Sequence, residues 1–116
     1  MKYKRGGKLR AVSLSTINKY RKNAKHDRNI PDDVLKVKLN CLINAVEKEH
    51  IYSRGSATVY QFGSCLLYVT DNIISDIRWS EERDEQPTNY EVSRMTRLYI
   101  LNGLNSSGKR FVHKAE

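Results

Sequence analysis

The sequence predicts an α+β domain, with two N-terminal helices followed by a twisted antiparallel sheet of about four strands packed on the second helix. Three observations predict it. Residues 57–79 are crowded with β-branched and aromatic side chains and are broken twice by turn residues, Gly63-Ser64 and Asp71-Asn72. That is the pattern of a meander with strands at 58–62, 65–70 and 73–79. A meander this small is marginal in water and needs a cover for one face. Residues 31–49 supply the cover, because Leu35, Leu39, Leu42, Ile43 and Val46 fall on one stripe at helical spacing. Finally, 116 residues is the size of one domain and enough to bury a core without staples.

The elements follow in order. Residues 1–14 read as a flexible basic arm with Gly6-Gly7 in its middle, and residues 11–14 as a short strand or a turn into the first helix. Ser15 is a suitable N-cap, and Ile17, Tyr20 and Ala24 recur at helical spacing, predicting a helix over 16–25. Residues 27–30 connect it to the second helix, where Pro31 fits the first position and Asp32 and Asp33 complement the dipole. That helix is predicted over 31–49, with Lys36, Lys38, Asn44 and Glu47 facing away from the stripe. Its apolar face should pack on Val59, Leu67 and Ile77 or their strand neighbours.

Residues 52–56 read as a loop with Arg54-Gly55 at its tip, and 81–87 as a solvated acidic connector. Thr88 to Glu91 has capping-box spacing, so a short turn of helix is expected near 90–94. Residues 96–101 are β-rich and read as a fourth strand, with helix as the alternative because Val92, Met95 and Tyr99 share a helical face. A tail begins at about 104, and 109–114 read as an edge strand or part of that tail.

The net charge of +8 is unevenly spread. Residues 1–30 hold ten Lys and Arg against one acid, a balance of +9, while residues 31–116 hold eleven basic and twelve acidic residues. A basic segment on a balanced body favours an anionic partner, nucleic acid first. Cys41 and Cys65 occupy apolar positions in a predicted helix and a predicted strand, with no disulfide framework and no Cys-x-x-Cys. His26, His50 and His113 lie far apart, which argues against a structural zinc site. No apolar run approaches the length of a membrane span, and no hydrophobic segment follows the basic N-terminus as a secretory signal would require.

No Ser/His/Asp arrangement, Gly-rich phosphate loop or paired carboxylates can be read from the chain. RNA, however, carries its own nucleophile. Cleavage by the 2′-hydroxyl needs a base, an acid for the leaving 5′-oxygen and fixed positive charge for the phosphorane. His26 is the candidate for the proton work, since Lys22, Lys25 and Arg28 surround it in sequence. His50 has no assigned chemistry.

Lys22–His26 (Lys-Asn-Ala-Lys-His), the helix ending Ala-Val-Glu-Lys-Glu-His at His50, and Gly55 to Tyr60 (Gly-Ser-Ala-Thr-Val-Tyr) resemble the colicin D-type C-terminal tRNase domain of the barnase- and RelE-like (BECR) ribonuclease toxins. The similarity continues through Leu67 to Ser75 and ends at Arg97 to Gly103, about 80 of the 116 residues. The resemblance implies a metal-independent endoribonuclease toxin without cofactor, acting on transfer RNA in the cytoplasm, either there natively or delivered as part of a larger toxin. It implies His26, Lys25 and Ser75 as catalytic residues and Lys22 as a phosphate contact. Lys19, Arg21, Arg28, Arg54 and Arg78 would add to RNA binding, and Tyr60 or Trp79 would stack on a splayed base. An acidic immunity or antitoxin protein is the implied partner. The sequence departs from the family at Ile77, where an aromatic residue is expected two places after the serine; Trp79 stands two further on. A second reading is a non-catalytic nucleic-acid-binding accessory protein of a phage or plasmid, which keeps the basic segment and drops the chemistry, and a third is a protein-binding module in which the basic arm is incidental.

Overall fold

The computed structural model describes residues 7–80 and 85–110. Along the chain these form β1 (Ala11–Val12), α1 (Leu14–Asn23), α2 (Asp32–Ala45), β2 (Ile51–Arg54), β3 (Ala57–Phe62), β4 (Cys65–Thr70), β5 (Ile73–Trp79) and α3 (Asn89–Leu101), with single 3-10 turns at Lys25–Asp27 and Lys48–His50. This is an α+β arrangement. The strands make one sheet in the order β1-β5-β4-β3-β2. β2 to β5 form the antiparallel meander, while β1 adds a short parallel pairing of Ala11 and Val12 with Ile73 and Ile74.

The meander matches the sequence because its turns are chemically fixed. Asp71 and Asn72 both have positive φ, 51° and 64°, as a two-residue hairpin loop that follows the strand twist requires. Gly63, at φ 61°, turns β3 into β4, and its Cα lies so close to Pro87 that a side chain would collide. β4 and β5 slip register between Tyr68 and Val69. The slip is a β-bulge around Ser75 that lets Ile74 and Ile77, an odd number of residues apart, both face the core with no exposed surface.

The inner face of the sheet carries Leu67, Ile74 and Ile77, and α2 covers it with Leu35, Leu39, Leu42 and Ile43, all in the same buried cluster. Val59 does not join them. It pairs with Tyr68 and Tyr52 and so lies on the other face of the sheet, fully buried there, while its neighbour Tyr60, opposite Leu67, takes the position toward α2.

Several boundaries differ from the sequence reading. The cap of α1 is Ser13, not Ser15; its hydroxyl accepts from the Thr16 amide. α2 stops at Ala45, where Val46 turns extended (ψ 134°) and the chain re-forms as the 3-10 turn at Lys48–His50. Residues 51–54 are an edge strand, not a loop, and Gly55 makes its turn at φ 61°. Its outward side chains are polar or exposed, so no apolar alternation announced it. Residues 96–101 are helix, not a fourth strand. The Thr88/Glu91 capping box is complete, and the helix it starts buries Glu91, Leu98 and Tyr99, three, ten and eleven residues after the cap. That local start and the α2 surface outweigh the β propensity of the segment. Residues 104–110 are not a loose tail: Leu104 is buried and pairs with Arg110. Residues 111–114 of the edge-strand alternative and 115–116 of the tail lie outside the described residues, as do residues 81–84 of the acidic connector. Within the basic arm, Lys8 and Arg10 are docked on α2 through Asn44 and Asn40.

Lys38 and Asp27 are the largest departure. Lys38 was expected to face water, yet it is buried and its ammonium lies 2.6 Å from the fully buried carboxylate of Asp27. The same carboxylate oxygen accepts the Tyr20 hydroxyl at 2.5 Å. Burial pushes the Asp27 carboxyl up, but Lys38 and Tyr20 outweigh it and hold the group below the ordinary carboxylate range. Burial and the Asp27 carboxylate push the Tyr20 hydroxyl far up in turn.

Among the described residues, no helix is long and apolar enough to cross a membrane.

Candidate nucleic-acid interface

The polypeptide after α1 is shaped by one inward residue. Ala24 leaves helical geometry at φ −107°, ψ 79°, the chain tightens into the 3-10 turn, and Asp27 points into the core toward Tyr20 and Lys38. A turn with its third residue anchored inside presents its other side chains to water. Lys25, His26 and Arg28 are accordingly exposed, together with Lys22 on the last turn of α1. The His26 side chain is 74% exposed, with Nε2 3.7 Å from Asp27 Oδ2. Among the described residues, Lys22, Lys25 and Arg28 have no carboxylate partner. They form a cationic knuckle around an imidazole.

The remaining candidates divide. Arg21 braces the connector to α2, donating to the Asp32 carboxylate and to the Ile30 carbonyl, so its charge is largely committed. Lys19 reaches from α1 to the sheet, where Asp76 accepts its ammonium at 2.9 Å. Arg78 donates to the other Asp76 oxygen at 3.0 Å and lies 5.4 Å over the Tyr68 ring. Burial pushes the Asp76 carboxyl up, but Lys19, Arg78 and the Ile77 amide hold it low. Ser75, at the bulge, donates to Thr70 Oγ1 at 3.2 Å, so it is fixed on the same outer face as Tyr68 and Arg78. Arg54 is exposed near the end of β2.

Tyr60 and Trp79 take the opposite face. Both are half-buried against the core, and Arg10 sits 5.4 Å over the Tyr60 ring while donating to its hydroxyl. Their rings are not laid open as a stacking platform. The outward aromatics are Tyr68 and Tyr52, which the sequence reading placed in a strand and a loop without a stacking role. Asp76 was not singled out either. The signal available was the odd spacing of Ile74 and Ile77, which breaks strand alternation and keeps both residues between them off the core face.

Lys22, Lys25 and Arg28 thus flank His26 along the chain at the end of α1, while Lys19, one helical turn before Lys22, shares Asp76 with Arg78 next to Ser75. His26 and Ser75 share no hydrogen bond; Ser75 donates instead to Tyr68 and Thr70.

The described residues contain one group of three possible metal ligands, Glu47, His50 and Glu91, whose ligand atoms lie within 4.8 Å of one another. Their bonding is already structural. Glu91 accepts from the Thr88 and Glu47 amides and from His50 Nδ1 at 2.7 Å, and Glu47 accepts from the Thr88 hydroxyl. The Glu91 bond raises the His50 pKa, while burial raises and the bonds to Glu47, Thr88 and His50 more than offset it for Glu91. His50 thus locks the start of α3 to the end of α2.

In comparisons with known proteins, no family model, no curated protein and no solved structure matches the chain.

Proposed function

We propose that the protein is a metal-independent endoribonuclease toxin that grips RNA with the cationic knuckle after α1 and cleaves it with His26. The observation that carries this reading is the anchoring of Asp27, which turns Lys25, His26 and Arg28 to water together beside Lys22. In the reaction, neutral His26 takes the 2′-hydroxyl proton as that oxygen attacks phosphorus. The bond to the 5′-oxygen breaks, and the imidazolium returns the proton to it, leaving a 2′,3′-cyclic phosphate and a 5′-hydroxyl. Lys25 and Lys22 stabilise the phosphorane charge. Lys19, Arg28, Arg54 and Arg78 hold the strand on either side, and Ser75 contacts phosphate from the outer sheet face. Transfer RNA as substrate, and an acidic immunity or antitoxin protein as the neutralising partner, come with the family resemblance of Lys22–His26 and Ser75.

The test is a gel of total RNA incubated with the protein in EDTA. Discrete fragments ending in cyclic phosphate are expected, and His26→Ala should lower the rate by roughly 10²–10⁴-fold. The thermal midpoint should hold, because the side chain is 74% exposed. Lys25→Ala should slow cleavage and weaken binding, since its charge acts in both states. Salt-sensitive binding with no cutting would replace the enzyme with a nucleic-acid-binding accessory protein. Cutting that survives His26→Ala would move the chemistry to the outer sheet face, with Tyr52, Arg54 and Arg78 as its groups.

A further inference from the structure

A groove of about 1160 Å³ runs along α3, with Leu98 and, from α2, Asn44 also lining it. Tyr90, Arg94, Arg97 and Leu101 line one wall, and Lys8 and Leu9 of the N-terminal segment face them. The four α3 residues recur at steps of 4, 3 and 4, which is one stripe of a helix. The groove is larger than the roughly 300–1,000 Å³ that small-molecule sites occupy. Its apolar groups are unusually open for their size: Leu9, Tyr90 and Leu101 are 49, 57 and 42% exposed. Its charged groups are all cations, and no acidic residue lines it. Among the described residues, Arg94 bonds only the Tyr90 hydroxyl, at 3.4 Å. Among the described residues, Lys8, Arg94 and Arg97 have no carboxylate partner.

We propose that this groove docks an acidic amphipathic segment of a partner protein, its apolar side chains seated on Leu9, Tyr90 and Leu101 and its carboxylates meeting Lys8, Arg94 and Arg97. Charge complementarity selects the partner's sign. The aliphatic groups select its class, because Leu9 and Leu101 need an apolar counter-surface that a phosphate backbone does not offer, whereas one face of a peptide helix offers both. The inference does not depend on the ribonuclease reading: none of Lys22, Lys25, His26 or Arg28 lines the groove.

The test pans a random 16-residue peptide library on the immobilised full chain and reads the enriched sequences. Net negative peptides with apolar residues at steps of three and four are expected. The best synthetic peptide should shift backbone amide resonances of residues 8–9 and 90–101. Its affinity should fall about tenfold or more in R94E/R97E and in Leu101→Asp. Both variants alter only exposed positions of α3, and an unchanged far-ultraviolet circular dichroism spectrum checks that they fold. His26→Ala should bind the peptide as wild type does, which separates this surface from the knuckle. Enrichment of neutral or basic peptides, no enrichment, or affinity indifferent to R94E/R97E would overturn the proposal. So would an RNA oligonucleotide that shifts the groove amides more than the peptide does.

Discussion

Replacing Lys38 by methionine would strand a buried carboxylate. Methionine keeps the length and apolar stem of the side chain, so the perturbation is the loss of the ammonium. In wild type, Asp27 has no exposed surface, and its Oδ2 is held by Lys38 at 2.6 Å and by Tyr20 at 2.5 Å. Its other oxygen is buried without a partner. Breaking a buried ion pair from one side costs about 3–5 kcal/mol. The lower figure applies here, because the Lys38 side chain keeps 8% exposure and the Tyr20 hydroxyl remains. For a 116-residue chain about 3 kcal/mol corresponds to a thermal midpoint lowered by roughly 12 °C. The pH dependence is more diagnostic than the size. In wild type the Asp27 pKa is depressed in the folded state, so its stabilisation is present above the unfolded pKa of about 3.9 and lost as pH falls through the folded value. In Lys38→Met burial acts without the cation, and the folded pKa rises above the unfolded one. Its penalty is then largest at neutral pH and recedes on acidification. Urea unfolding at pH 7 and pH 4.5 should show a smaller deficit at the lower pH, and Asp27→Asn/Lys38→Met should lose less than the two single variants summed. A deficit under about 1 kcal/mol at pH 7, or one that does not shrink at pH 4.5, would mean the pair is solvated and that Asp27 does not anchor the knuckle.

Two further outcomes follow from the same structure. Deleting residues 1–6 removes Lys2, Lys4 and Arg5 and spares the Arg10–Asn40 bonds; the slope of log K for RNA against log salt should flatten by about 2 if these charges meet phosphates, and an unchanged slope excludes them from the interface. His50→Ala should lower stability more at pH 6 than at pH 8. The folded His50 pKa is raised above 6.5 by Glu91, so its contribution is complete below that value and lost as pH rises through the folded one. The effect is about 1 kcal/mol or less for a pair open to solvent on the histidine side. Equal losses at both pH values in thermal melts would contradict the pairing.

What the sequence determined by itself is the part set by local chemistry. The turns at Gly63 and Asp71-Asn72 carry their own backbone preferences, the α2 stripe carries its own periodicity, and Thr88 and Glu91 write a helix start that the three-dimensional structure keeps. The exposure of Lys22, Lys25, His26 and Arg28 was legible for the same reason, since nothing apolar in 22–28 except Ala24 needs burial. Tertiary structure decided the rest. Residues 96–101 fit a strand and a helix equally until the α2 surface is there to bury Leu98. Edge strand β2 has no apolar alternation to be read, and exists because β3 offers it a hydrogen-bonding edge. The bulge at Ser75 sets which side chains of β5 face outward, and so puts Arg78 beside Tyr68 and Trp79 on the core side; register is a property of a strand pair, not of a strand. Above all, Lys38 reads as a solvated charge and Asp27 as part of a connector, because a lone ion belongs in water. Only the packing of α1 on α2, with residues 107–108 closing over Lys38, brings the two together where their attraction outweighs the loss of hydration.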